Sequence, residues 1–126
     1  MEASRVELHT EVREEDGIRI LVVRGEVDLS TSERLKEAVY SCLEGGTGNL
    51  VVDLNGLEFM DTTGLGALVA GLKRARQGAG DMALVCNRGH LLKIFSLTGL
   101  DKVFSIYDNL HRCLSSLNRE KEARAP

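Results

Sequence analysis

The sequence is poor in aromatic residues and proline, and it carries no excess of positive charge. It contains two tyrosines, three phenylalanines, one proline and no tryptophan, and its formal net charge at pH 7 is -3. A surface that binds nucleic acid electrostatically needs a basic footprint and aromatic side chains on which bases stack. The composition therefore argues against direct nucleic-acid binding, and other proteins are the expected class of partner.

Long apolar runs are also missing. No uncharged apolar stretch approaches the ~20 residues that a membrane-spanning helix needs. Residues 1–5 lack the apolar core of a secretory signal. We therefore expect a cytoplasmic protein with no membrane span.

The sequence has few metal ligands at useful spacings. Its three cysteines are an odd number with no Cys-x-x-Cys pair, and its three histidines form no His-Glu-x-x-His pattern. Each cysteine has apolar neighbours, among which a thiol behaves as a small buried hydrophobe. We expect Cys42, Cys86 and Cys113 to be reduced core residues, and we expect neither a metal nor another cofactor.

The composition is that of one folded domain. Hydrophobic residues make up 43% and charged residues 28% of the 126, which is typical of a globular protein and not of a disordered chain. A chain of this length has the size of a single domain and buries about two-thirds of its unfolded surface. One domain is therefore expected.

Apolar periodicity indicates strands that alternate with helices. Strands are expected at 6–12, 18–23, 50–54, 82–86 and 103–107. Helices are expected after Ser30, whose spacing to Glu33 is that of a capping box, after Asp61, before Gly99 and after the capping residue Asp108. The turn-prone segment 14–17 joins the first two strands into an antiparallel hairpin.

This order of elements predicts the α/β class. Right-handed strand-helix-strand crossovers place helices against a mixed, mostly parallel sheet that begins with the N-terminal hairpin. Sites in such sheets favour the loops beyond the carboxyl ends of the strands. Here those loops are 25–30, 55–63 and 87–90.

The second helix begins with an unusual group of polar residues. Asp61, Thr62 and Thr63 place a carboxylate and two hydroxyls where a strand's loop enters a helix. Free backbone N–H groups at a helix N-terminus favour an anionic group, so a phosphoryl group would be tolerated there. The alternative is simple capping, because aspartate and threonine are ordinary N-cap residues.

Two nucleotide-binding motifs fail in this helix. Gly64 and Gly66 begin a dinucleotide fingerprint, but Val69 stands where a third small residue is needed. A phosphate loop from Gly66 to Gly71 would need lysine at the next position, which is leucine. No histidine is locally paired with a serine, cysteine or carboxylate as in a nucleophilic enzyme. A protein without enzymatic activity is therefore expected.

Three segments together resemble the STAS domain of bacterial anti-sigma factor antagonists. They are 25–28 (Gly-Glu-Val-Asp), 51–54 (Val-Val-Asp-Leu) and 59–66 (Phe-Met-Asp-Thr-Thr-Gly-Leu-Gly). No single tetrapeptide is diagnostic, but their order within the strand-helix alternation makes the set specific. The resemblance covers residues 5–117, which are the expected STAS domain, with a flexible N-terminus at 1–4. Residues 119–126 are charged and have no apolar spacing, so a charged flexible tail is expected at 118–126.

The resemblance implies a partner-switching protein. Unphosphorylated members of the family bind an anti-sigma factor that is also a serine/threonine kinase, which releases a sigma factor. Phosphorylation by that kinase ends the binding, and a phosphatase is a further candidate partner. Carried over by position, the acceptor is Thr62, directly after Asp61, with Asp28 beside the site. The family's acceptor is usually serine, and the adjacent Thr63 is the alternative here.

Two further features each have two interpretations. Gly64, Ala67 and Gly71 place small residues on one side of the second helix, where either a partner or another helix of the same domain could pack closely. Asp28 could face the partner at the switch, or it could bind backbone N–H groups of its own loop.

Two other functions remain open. One is a STAS scaffold subunit, without reversible phosphorylation, in a stress-signalling assembly or a lipid-transport complex. The other is a small enzyme or ligand-binding module that uses the same helix terminus for a nucleotide phosphate.

Overall fold

The computed structural model describes residues 7–44 and 48–123. These residues form five strands and four α-helices, with one 3₁₀ turn at Leu100–Lys102 before the last strand. In chain order the elements are β1 (His9–Glu15), β2 (Ile18–Val27), α1 (Ser32–Leu43), β3 (Asn49–Met60), α2 (Thr62–Gln77), β4 (Asp81–Val85), α3 (Gly89–Leu97), β5 (Ser105–Tyr107) and α4 (Leu110–Ala123).

The strands form one sheet in their chain order, β1-β2-β3-β4-β5. The β1–β2 hairpin is antiparallel, whereas β2–β3, β3–β4 and β4–β5 are parallel pairs. Each parallel pair is joined by a helical crossover, as the chain's α/β alternation requires. The expected α/β fold with a mixed, mostly parallel sheet is confirmed.

Each face of the sheet has its own apolar core. One face packs against α1, α2 and α3, which contribute Leu35, Leu68 and Phe95 among other buried side chains. The opposite face packs against α4 through Cys113, Leu114 and Leu117. Because helices cover both faces, Leu50, Val51, Val52 and Leu54 of β3 are all buried, as the nearly continuous apolar run at 50–54 predicts.

The third strand is longer than the sequence indicates. The segment 55–60 was expected to be a loop, but β3 continues to Met60 and stays paired with β2 as far as Val27. Asn55-Gly56 is a strong turn signal, and here it marks an irregularity in the β2–β3 register. Leu57 and Met60 are buried in the extension, which explains why it remains in the sheet.

The predicted ends of several elements are also corrected. The residue before α1 is Thr31, because the Ser30 hydroxyl donates to the Asp28 carboxylate instead of capping the helix. At α4, the Asn109 side chain accepts a hydrogen bond from the Arg112 N–H, so Asn109 and not Asp108 caps the helix. The last strand starts two residues later than expected, at Ser105.

The predicted terminal segments fall partly outside the described residues. Helix α4 continues to Ala123, so the first part of the segment expected to be a tail, 118–126, is helical. Residues 124–126, the flexible N-terminus expected at 1–4 and the start of the first predicted strand lie outside the described residues.

All three cysteines are free and buried, as expected. Burial is the main cause that raises the pKa of each thiol, to about 12 for Cys113. These thiols therefore stay protonated near neutral pH and are poor nucleophiles.

No helix in the described residues has both the length and the apolarity to cross a membrane.

Candidate functional site

The candidate site lies where the carboxyl ends of β2 and β3 meet. The backbone N–H of Asp61 donates to the carbonyl of Val27, 3.1 Å away. This hydrogen bond extends the parallel pairing of the two strands by one step beyond Val27 and Met60. It holds the loop after β2, which carries Asp28, beside the start of α2, which carries Thr62.

Asp61 is the N-cap of α2. Its carboxylate accepts hydrogen bonds from the Thr63 backbone N–H, at 2.9 Å, and from the Thr63 hydroxyl. A carboxylate in this position satisfies one of the unpaired N–H groups of the first turn and interacts favourably with the helix dipole. The capping role considered for Asp61 from the sequence is therefore present.

The two threonines after Asp61 are in different environments. Thr62 is exposed at the first residue of α2, whereas Thr63 is half-buried. The Thr63 hydroxyl is held against the Asp61 carboxylate as part of the cap. Of the two hydroxyls, Thr62 is therefore the one that an enzyme can approach without first breaking the cap.

Asp28 organises the loop between β2 and α1. Its carboxylate accepts from the backbone N–H and hydroxyl of Ser30, at 2.9 and 2.7 Å, and its own N–H donates to the Thr31 hydroxyl at 2.9 Å. Such a side-chain-to-backbone turn is the loop-binding role considered for Asp28. The pairing of Val27 with Asp61 also places Asp28 next to the start of α2.

The stripe of small residues on α2 faces the interior of the domain. Gly64, Ala67 and Gly71 are buried, which corrects their expected place on a partner-binding surface. A Cβ atom at Gly71 would lie 2.6 Å from Val39 of α1, and one at Gly64 would lie 2.3 Å from Met60. Close packing within the domain, the second interpretation of this stripe, is what the structure shows.

A different face of α2 is exposed beyond Thr62. We call Thr62, Gly66, Val69, Ala70 and Lys73 the α2 face, since they recur at helical spacing and each is exposed or half-buried. Leu29, in the neighbouring β2–α1 loop, is 79% exposed. The α2 face thus combines small and apolar side chains with Thr62 and Lys73, and Leu29 belongs to the loop that the Val27–Asp61 hydrogen bond holds beside the start of the helix.

Gly66 and Leu29 are two residues of this site that the sequence analysis did not assign to it. The sequence does contain a signal for each. Gly66 lies inside a helical pattern, one turn after its start, where glycine is unfavourable. Leu29 is a large apolar residue between Asp28 and Ser30 in a polar loop.

Replacing Gly66 with alanine is expected to stabilise the fold. A Cβ atom at this position would have nothing within 4 Å, and alanine lowers the entropy cost of the helix by about 0.5–1 kcal/mol. Urea denaturation of Gly66→Ala and of the unmodified protein measures this difference. A loss of stability would mean that Gly66 has a structural role in the isolated domain.

The third loop identified from the sequence, 87–90, serves to hold neighbouring strands together. Asn55 of β3 accepts from the Asn87 N–H at 2.6 Å and donates to the Asp108 carbonyl at 3.4 Å. One ring nitrogen of His90 lies 3.0 Å from the Glu58 carbonyl. Among the described residues, no group of three or more histidine, cysteine or acidic side chains could hold a metal ion.

Comparison with known proteins gives one consistent family. Residues 9–113 match the family model of the STAS domain. The anti-sigma-B factor antagonist of Listeria monocytogenes is 36% identical over 99 residues, which are 76% of this chain and 85% of the relative. The anti-sigma-F factor antagonist RsfB of Mycobacterium tuberculosis is 30% identical over 106 residues, or 84% and 86% of the two chains.

A solved structure agrees with these relatives. The crystal structure of an anti-sigma factor antagonist from Mycobacterium paratuberculosis superposes with a TM-score of 0.82 at 29% identity. The match covers 89% of this chain and 95% of that one. The similarity therefore includes the sheet and the helices on both of its faces.

Proposed function

The chain belongs to the STAS-domain family of anti-sigma factor antagonists, and we propose that a phosphate on Thr62 switches its binding to an anti-sigma factor. Unphosphorylated, the protein binds the anti-sigma factor and thereby releases a sigma factor. The anti-sigma factor is a serine/threonine kinase, and it ends the complex by modifying Thr62. The protein itself has no catalytic role, and it acts in the cytoplasm, where sigma factors meet RNA polymerase.

The observation that carries this proposal is the different environment of the two adjacent threonines. Thr62 is exposed, while the Thr63 hydroxyl donates to the Asp61 carboxylate. A phosphate on Thr63 would remove that hydrogen bond and place two anionic groups together inside the cap. On Thr62 the phosphate stays at the surface, near a helix N-terminus that favours negative charge.

The reaction needs nothing from this chain except an accessible hydroxyl. The Thr62 oxygen attacks the γ-phosphorus of ATP, the bond to the β–γ bridging oxygen breaks, and ADP leaves. A base of the kinase accepts the hydroxyl proton. The acceptor hydroxyl has to be held in a defined position, and the first turn of a capped helix holds it there.

The α2 face and Leu29 supply the partner-binding surface in this proposal. They adjoin Thr62 on the helix and in the neighbouring loop, so a partner that covers them also covers the acceptor. Gly66 lies one turn beyond Thr62, and its missing side chain lets a partner's backbone approach the helix closely. Gly66→Ala is thus expected to weaken binding of the anti-sigma factor while stabilising the isolated domain.

The proposal is tested by phosphorylation with the host's anti-sigma kinases. The purified protein is incubated with ATP and each kinase, its intact mass is measured, and the modified residue is mapped. We expect one phosphate on Thr62, no phosphate on Thr62→Ala, and full incorporation into Thr62→Ser, which restores a hydroxyl at the same place.

The remaining outcomes distinguish the other functions. Phosphate on Thr63 of the protein without substitutions would contradict the choice of acceptor. No modification by active kinases, together with stable co-purification with assembly components, would favour a scaffold subunit. Binding of ATP or GTP by the isolated protein in calorimetry would favour a nucleotide-binding module.

A further inference from the structure

Among residues 7–44 and 48–123, no strand lies on the outer side of β1, which is an edge strand of the sheet. It pairs with β2 on one side and lies at the end of the sheet, and all seven of its residues are exposed. Edge strands expose unpaired backbone groups, which proteins usually protect with charged side chains, above all lysine, with proline or with a bulge. The sequence of β1, His-Thr-Glu-Val-Arg-Glu-Glu, contains neither lysine nor proline, and its pairing with β2 has no bulge. Its charged side chains are one arginine and three glutamates, so the strand carries both signs of charge.

We propose that β1 is a homodimerisation edge at which two copies of this chain pair antiparallel, with Val12 on the two-fold axis. The two five-stranded sheets then join into one continuous sheet. The helices α1 and α2 of both copies lie on one face, and both copies of α4 lie on the other. This inference is independent of the proposed phosphorylation.

The charges of β1 support this register. With Val12 facing its own copy, Glu11 faces Arg13 of the second copy and His9 faces Glu15 of the second copy. The two-fold axis repeats each pair, so every arginine on the strand faces a glutamate. Opposite charges directly across an antiparallel pair are favourable, whereas like charges are unfavourable.

The neighbouring registers are disfavoured by the same side chains. A two-fold axis perpendicular to the sheet lies between two copies of one residue, which face each other. The registers next to the Val12 register therefore place Glu11 or Arg13 at the axis. Two glutamates or two arginines then meet on the axis. The Val12 register is the one of these three without a like-charge pair at its centre.

Val12 is also the exposed apolar side chain on this strand. It is 58% exposed, although its neighbour on β2, Leu21, is fully buried in the core. Pairing of two copies would cover both valines against each other. A β-branched pair at the centre of an antiparallel contact is a favourable cross-strand pair.

In the single chain, Glu11 pairs with arginines of its own sheet. Glu11 contacts Arg13 on its own strand and Arg24 on β2, each at 3.3 Å with both partners about half exposed. Hydrogen bonding and charge from Arg13, with a contribution from Arg24, lower the pKa of Glu11, so it is ionised near neutral pH. Exposed pairs of this kind contribute little to stability, so dimerisation can rearrange them readily.

Disulfide trapping tests the register directly. Residues directly opposite each other in antiparallel strands have Cα atoms about 4.5 or 5.5 Å apart, and both distances suit a disulfide. Val12→Cys is expected to form a covalent dimer with oxidised glutathione, which accepts the two electrons and yields two reduced glutathiones. The native cysteines are buried and do not compete.

Glu14→Cys is the matched control. It is exposed on the same strand and on the same face as Val12, but in the proposed dimer it faces Thr10. Its two copies are then four residues apart along the strand, about 14 Å at ~3.4 Å per residue, too far for a disulfide. Equal crosslinking of both variants, or no crosslinking of Val12→Cys, would overturn the proposal.

A charge exchange tests the unmodified surface in solution. Arg13→Glu and Glu11→Arg each create like-charge pairs across the axis and are expected to lower the association constant about tenfold. The double variant restores opposite pairs and is expected to recover dimerisation. Sedimentation equilibrium at high protein concentration measures this, since so small an interface gives a weak dimer. The proposal would be contradicted if the chain without substitutions stayed monomeric, or if the double variant associated no more strongly than the single variants.

Discussion

Phosphorylation of Thr62 is expected to weaken the complex with the anti-sigma factor by about a hundredfold or more, while the fold remains intact. A hundredfold loss of affinity corresponds to about 2.7 kcal/mol. A phosphothreonine adds about -1.5 to -2 charges near pH 7. A partner carboxylate about 4 Å away would repel each unit of charge by ~4 kcal/mol at an effective dielectric constant of 20.

Two other effects act in the same direction. The first is steric: the phosphate stands on the α2 face, one turn from Gly66, and blocks the place where the partner approaches the helix in our proposal. The second is desolvation: a phosphate that the partner covers has to lose its bound water, and removing water from an unpaired anion is costly. Within the chain the cost is small, because Thr62 is exposed and an anion at a helix N-terminus is favourable by about 0.3–1 kcal/mol.

Calorimetry with purified unmodified and phosphorylated protein measures the loss of affinity. Thr62→Val is the matched control, since it keeps the shape of threonine without the hydroxyl or the charge. It is expected to bind almost as well as the unmodified protein and to accept no phosphate. Repeating the titration at higher salt separates charge repulsion from steric blocking, because screening reduces repulsion and leaves steric blocking unchanged.

Any of three results would contradict this mechanism. Equal affinity of the phosphorylated and unmodified proteins would mean that the phosphate does not control the complex. A Thr62→Val variant that binds as weakly as the phosphorylated protein would mean that the hydroxyl itself is a binding group. A lower melting temperature on phosphorylation would show that the modification acts through the fold instead.

The order of strands and helices could be predicted because each element has a clear apolar period. The expected N-terminal hairpin and the helix entry at Asp61 depend on local patterns, and the structure contains both. The end of β3 could not be predicted locally. Asn55-Gly56 indicates a turn. Pairing of β3 with β2 and burial of Leu57 outweigh that signal.

The candidate site was predictable in position but not in the direction of its side chains. Spacing alone identifies small residues on one stripe of α2, but it does not say which stripe faces the core. Gly71 packs against Val39 of α1, a contact between elements distant in the chain. Gly66 is on the exposed side, and only the packed helices distinguish the two glycines.

Gly25→Ala is expected to lower the free energy of unfolding by about 3 kcal/mol or more. Gly25 has a φ of +98°, a backbone conformation that residues other than glycine rarely adopt. A Cβ atom would also lie 1.9 Å from the Glu7 carbonyl oxygen. That oxygen belongs to the backbone beside the buried residue Leu8, so it cannot move aside without displacing the start of the hairpin.

Urea and thermal denaturation measure this effect, and Gly66→Ala is the matched control. Both substitutions add one methyl group at a glycine, but one adds it against a backbone carbonyl and the other adds it in open space. Opposite signs are therefore expected, with a melting temperature about 10 °C lower for Gly25→Ala. A Gly25→Ala variant as stable as the unmodified protein would mean that the segment before β1 does not pack against Gly25. The loop that follows β2 and carries Asp28 would then lack the support that this structure gives it.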